Sequence, residues 1–149
     1  MKINNFIKYE KLLIAVIVVF FAVSADSAQT KKYRLFIVSS YHREYLWSEH
    51  TQFGLCDGLI KYGFMDSNDQ AAAFIKDDYV ETSTAVIKKA WMDTKHKNSK
   101  QDIASAVCRI VDEINAFSPD LIFLGDDNAA NYIGNQFIDT NIMVVFWGI

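Results

Sequence analysis

Proline occurs once in this chain of 149 residues and cysteine twice, and both scarcities narrow what it can be. With 51% hydrophobic residues beside that single proline, the composition is that of a globular chain with a core, not of a linker or tail. Two cysteines are too few for a disulfide-built scaffold, although an exported pair can oxidise. Cys56 and Cys108 both fall among apolar residues of expected helices and read as two buried free thiols. No C-x-x-C pair or Cys/His cluster occurs, so no metal and no cofactor is expected. Also missing are a Ser/His/Asp order, a G-x-S-x-G elbow, an internal repeat and a low-complexity segment, and catalysis is not expected. Finally, the N-terminal apolar run, Leu12 to Val23, is only 12 residues long, whereas a helix crossing a bilayer core needs roughly 20.

What that run does fit is an export signal. Lys2, Lys8 and Lys11 precede it against a single Glu10, giving a positive n-region and an apolar h-region. Val23, Ser24 and Ala25 supply a peptidase site after Ala25, with a second choice after Ala28; an uncleaved signal anchor is the alternative. No cysteine follows closely enough for a lipid-modified N-terminus. The reading is a signal peptide over residues 1–25 and an extracytoplasmic or periplasmic domain over 26–149, touching the membrane only through that signal or anchor. Removing residues 1–25 leaves 12 Lys+Arg against 17 Asp+Glu, a net charge of −5, which does not favour nucleic acid or anionic lipid. The remaining 124 residues suit one domain, since domains usually run to about 100–150 residues.

Along the domain, strands alternate with amphipathic helices. Tyr33 to Ser39 reads as the first strand, rich in aromatic and branched residues. Apolar positions at helical spacing from Trp47 to Tyr62 predict a helix, with Gly63 just past its end. Ser67 and Gln70 form a capping-box pair opening a short helix through Phe74. Ala85 to Met92 is the second strand, with Lys88 and Lys89 marking an edge position. Ser99 and Asp102 cap a helix whose stripe is Ile103, Val107, Ile110, Val111, Ile114 and Phe117. Pro119 stops it. Leu121 to Leu124 is a third, fully buried strand, followed by a helix through Ala129 to Phe137 for which an Asp is a natural N-cap. Ile142 to Phe146 is the last strand. The pattern predicts βαβ units and an α/β fold, a three-layer α/β/α sandwich around a mostly parallel sheet. The apolar stretch Ile142 to Ile149, with no polar tail or closing helix after it, suggests a truncated product or fragment.

In open parallel sheets ligands bind outside the carboxyl ends of the strands. The residues there are Ser39, Ser40, Tyr41 and His42, with Tyr45 and Trp47 close behind; then Asp93 and Thr94; then Asp126, Asp127 and Asn128; and after the last strand, Trp147. Together they are expected to line one rim.

Four segments, SSYHREYLW (Ser39 to Trp47), WMDTKHKNS (Trp91 to Ser99), PDLIFLGDDNAANY (Pro119 to Tyr132) and VFWGI (Val145 to Ile149), resemble the substrate-binding proteins of ABC transporters, in the periplasmic-binding-protein type I superfamily. The resemblance implies the N-terminal lobe of a two-lobed clamshell, with the second lobe absent. It also implies a small-molecule ligand held between lobes and an ABC permease as partner of the full-length protein. If this polypeptide is the whole product, binding should be weak or absent, since half a cleft contacts a ligand on one side only.

Tyr41, Trp47 and Trp147 would offer flat or cation-π faces; Ser39, Ser40 and Thr94 would donate hydrogen bonds to a carboxylate; Asp126 or Asp127 would receive an ammonium group. That is what an amino-acid-like ligand needs. Two rivals stand beside this reading. One is Mg²⁺ held by Asp126 and Asp127 in an enzyme or phospho-acceptor, with His42, the lone strand-end histidine, more naturally a hydrogen-bonded loop residue. The other is the sensing domain of a signalling protein.

Overall fold

A computed structural model describes residues 31–148. The signal over residues 1–25 lies outside the described residues. The elements run β1 (Tyr33–Ser39), α1 (Leu46–Lys61), α2 (Asn68–Lys76), β2 (Tyr79–Glu81), β3 (Ala85–Trp91), α3 (Lys100–Phe117), β4 (Leu121–Gly125), one helical turn α4 (Asp126–Asn128), and β5 (Met143–Trp147). The five strands form one sheet in the order β2-β3-β1-β4-β5. All neighbours are parallel except the β2–β3 pair.

Period-two alternation in the strands feeds two cores. Phe36, Val38, Ala90, Met92, Ile122 and Leu124 point to one face, where they meet Ile110 and Ile114 of α3 together with Ala129, Ile133 and Phe137. Leu35, Ile37, Ala85 and Ile87 point to the other, where Cys56 and Leu59 of α1 and Ala71 and Phe74 of α2 cover them. Helices therefore pack on both faces of a mostly parallel sheet, an α/β arrangement compatible with the three layers expected. No helix among the described residues is long and apolar enough to cross a membrane.

The caps form as their residues dictate. Ser67 Oγ accepts from Gln70 N at 3.2 Å, and Ser99 Oγ accepts from Asp102 N at 3.1 Å. Gly63 adopts φ 76°, letting Phe64 N reach back to Leu59 O at 2.8 Å and close α1.

Five expectations need correcting. Lys88 and Lys89 do not mark an edge, because β2, a strand of three residues unread in the sequence, pairs with β3 and covers it. Cys108 is exposed, since the α3 stripe is narrow and leaves it to one side; Cys56 is buried, and both are free. No aspartate caps the helix after β4: Gly125 occupies the N-cap position without a side-chain bond. Nor is that segment one helix, for α4 passes into a π-helical turn (Ala129–Ile133) and then a 3-10 turn (Gly134–Gln136). Trp147 is the last residue of β5 and not the residue after it.

Candidate functional site

Trp91, Ser39, Gly125 and Trp147 stand in register across β3, β1, β4 and β5, so four parallel strands finish at one level. The chain leaves β1 toward the α1 face and leaves β4 toward the opposite face, where Ala129 and Ile133 are buried. The order of the parallel strands thus reverses between β1 and β4, and the two connections diverge there. Such a divergence opens the crevice in which doubly wound sheets bind ligands.

Deep in this rim, three of the expected residues hold loops together. Ser40 is fully buried; its Oγ donates to Gly125 O at 2.7 Å and accepts from Ala129 N at 2.8 Å. The Ser40 carbonyl accepts from Thr94 Oγ1 at 2.7 Å, and Asn128 Nδ2 donates to that same Thr94 oxygen at 2.9 Å. Ser40, Thr94 and Asn128 therefore tie together the segments after β1, β3 and β4. The hydroxyl protons of Ser40 and Thr94 are already given to carbonyls, which removes them as donors to a ligand carboxylate in this arrangement.

Above that lock lies a polar and aromatic surface. Trp47, at the start of α1 and 49% exposed, donates its indole N–H to Asp126 Oδ1 at 2.8 Å. Asp126 is only 6% exposed and adopts φ 69°, a left-handed backbone that costs an ordinary residue energy. Gly148 sits against the same oxygen: a Cβ there would lie 2.8 Å from Asp126 Oδ1. Burial pushes the Asp126 carboxyl above the ordinary aspartate range; the Trp47 bond opposes this, the Asp127 charge adds to it, and Lys95 opposes it. Asp127 itself is exposed.

Tyr41 and Tyr45 meet edge to face, ring centroids 4.9 Å apart, and Lys95 Nζ lies over both rings at 4.5 and 5.1 Å. Burial raises the Tyr41 pKa, and Asp126 raises it further against the pull of Lys95. The carboxylate, the cation and three aromatic rings are therefore neighbours. His42 and Asp93 come together one strand away, with Nδ1 to Oδ1 at 3.5 Å. Ser39 and Trp147 share the α1 face; the Trp147 ring lies so close over Gly125 that a Cβ would meet its Cζ2 at 2.8 Å.

Three side chains of the rim region escape a sequence reading. Lys95 and His96 sit in a charged loop where lysine and histidine are ordinary solvated residues, and only the turn after β3 brings them to Tyr41 and Asp93. Lys89 is 3% exposed beneath Trp91; its ammonium donates to Gln52 Oε1 and to Phe74 O, both at 2.6 Å. Burial lowers its pKa to about 8, although Asp78, at 3.9 Å, pulls the other way. The signal for it was Gln52, a polar residue on the inner side of α1.

Two open concavities, of about 470 and 540 Å³, lie on the α3 face away from this rim. The first is lined by residues such as Leu124, Ile138, Val144 and Phe146 and carries no charged side chain. The charged and aromatic groups gather instead at the rim. No family model, no curated protein and no solved structure matches this chain.

Proposed function

We propose that this chain supplies one wall of an extracytoplasmic solute-binding site, the N-terminal lobe of a periplasmic-binding-protein type I clamshell that hands a small amino-acid-like molecule to an ABC permease. The observation that carries the reading is Asp126. It is a buried carboxylate in left-handed backbone at the reversal of strand order, and among the described residues one indole N–H is its sole side-chain hydrogen bond. An ionised carboxylate accepts about four hydrogen bonds, so most of its capacity is unmet among the described residues. An ammonium group would fill that capacity and offset the cost of burial. Lys95 would meet a carboxylate, and Tyr41, Tyr45 and Trp47 would supply apolar walls for the carbon skeleton.

One wall contacts a ligand on one side only, so the test uses a probe that detects weak binding. The Trp47 indole N–H resonance reports directly on Asp126, and the purified chain is titrated with a panel of the common amino acids while that signal is followed by NMR. At least one zwitterionic or cationic amino acid is expected to shift it in a saturable way. Asp126→Asn, which preserves the acceptor for Trp47 and tolerates left-handed backbone, is expected to abolish the shift while folding no less stably than the parent. A panel that leaves the indole signal unmoved, or an Asp126→Asn variant that responds as the parent does, defeats the reading.

A further inference from the structure

We propose that His42, Asp93 and His96 form a three-ligand site for a divalent transition-metal ion, zinc being the natural occupant. The site stands on its own geometry, between the loops after β1 and β3, and does not depend on the solute-binding reading.

Asp93 has φ 60°, and its carbonyl accepts from the N–H groups of His96 at 3.2 Å and Lys97 at 2.9 Å. This tight left-handed turn brings His96 Nδ1 to 2.8 Å from Asp93 Oδ1. From the neighbouring strand end, His42 lays its ring on that of His96, centroids 4.0 Å apart and 27° from parallel. One ligand atom from each of the three residues lies within 4.8 Å of the others. Ligands around a tetrahedral zinc, with bonds of about 2.0–2.1 Å, stand roughly 3.3 Å apart. The two distances to Asp93 Oδ1, 2.8 and 3.5 Å, straddle that spacing.

A second observation points the same way. His42 Nδ1 is buried and makes no hydrogen bond among the described residues, although it lies within ion-pair reach of Asp93. A buried, unpaired ring nitrogen is costly, and a bound cation beside Asp93 would satisfy it. His96 is exposed enough to swing its ring aside and open the stack, and Lys97, whose ammonium lies 3.7 Å from Asp93 Oδ2, is exposed and free to leave. Two imidazole nitrogens with one carboxylate suit zinc and its transition-metal neighbours; magnesium and calcium prefer oxygen alone. Three protein ligands leave a coordination position open to water or to an incoming donor.

Calorimetry of the full chain with Zn²⁺, joined to the visible spectrum of the Co²⁺ form, tests the site. One equivalent is expected to bind, with a cobalt spectrum of tetrahedral type. His96→Ala removes an exposed ring without disturbing the core, and Asp93→Asn keeps a residue that accepts left-handed backbone; each is expected to weaken zinc by about tenfold or more. His50→Ala, which changes the remaining histidine, and Asp126→Asn, at the solute crevice, are expected to bind zinc as the parent does. No zinc uptake by the parent, or uptake unchanged by both His96→Ala and Asp93→Asn, overturns the proposal. Loss of amino-acid binding in Asp126→Asn with zinc retained separates the two sites.

Discussion

Stability is given up at particular residues. Asp126 combines a left-handed backbone with a buried carboxylate whose pKa is raised. A carboxyl held above its unfolded pKa favours folding below that unfolded value and loses its contribution as pH rises through the folded one, so at neutral pH the ionised group is a cost. Costs of this kind collect where a group is kept for use. Lys89 is the same argument with the charge reversed. Its pKa is lowered to about 8, mainly by burial. Below pH 8 both folded and unfolded chains hold the proton and the full burial cost is present. Between pH 8 and the unfolded value the unfolded chain binds more protons, so folding gains stability as pH rises. Relative to Lys89→Met, which cannot titrate, the parent is expected to gain about 3 kcal/mol between pH 8 and 10.5 in denaturant melts. A constant difference across that range would show Lys89 to be solvated. The sequence located Asp126 through the rule of strand ends and offered its cap as the bland explanation. It read Lys89 as an edge residue despite Gln52 on the inner side of α1, because a lysine pair in a strand reads so until the three-residue strand that covers it is seen.

At the scale of elements, legibility followed the strength of the local signal. Helix α3 has both a cap and a continuous apolar stripe, and the structure places it where they predict. Ser99 Oγ accepts from Asp102 N and donates to Asp102 Oδ2 at 2.6 Å, closing the first turn where the helix dipole favours an acid. Ser99→Ala is therefore expected to cost about 1 kcal/mol in chemical denaturation. Ser105→Ala, in the middle of the same helix, loses only a bond back to Gln101 O and gains helix propensity, so it is expected to be neutral or slightly stabilising. Equal losses from both would mean that the cap carries nothing. The segment after β4 was less legible for a physical reason. Gly125 is needed under Trp147, Asp126 must turn left-handed, and Ala129 N must reach Ser40 Oγ, so the chain winds loosely as a π-turn where composition alone suggests a plain helix. There, tertiary demands override propensity.

The strand order belongs to the whole molecule. Alternating strands and helices imply a parallel sheet, but no local pattern says that β1 lies at its centre; burial on both faces and the direction of each crossover decide that. One consequence concerns the far side of the sheet. Among the described residues β5 pairs with β4 alone, and along it Met143, Val145 and Phe146 are 65%, 41% and 60% exposed, with Ile138 beside them at 71%. Soluble proteins protect such edges with charge, proline or a covering element, because an open apolar strand pairs with any strand it meets. This edge carries none of these devices among the described residues. Concentration-dependent association through β5 is therefore expected in sedimentation velocity. Val145→Lys adds a charge at a half-exposed position and is expected to reduce that association while changing stability by no more than about 0.5 kcal/mol. Because the Asp126 crevice and the His42–Asp93–His96 triad lie at the strand ends, past Val145 and in register with Trp147, Val145→Lys should leave amino-acid and zinc responses intact. A parent chain that stays monomeric at high concentration would show that the edge is already protected.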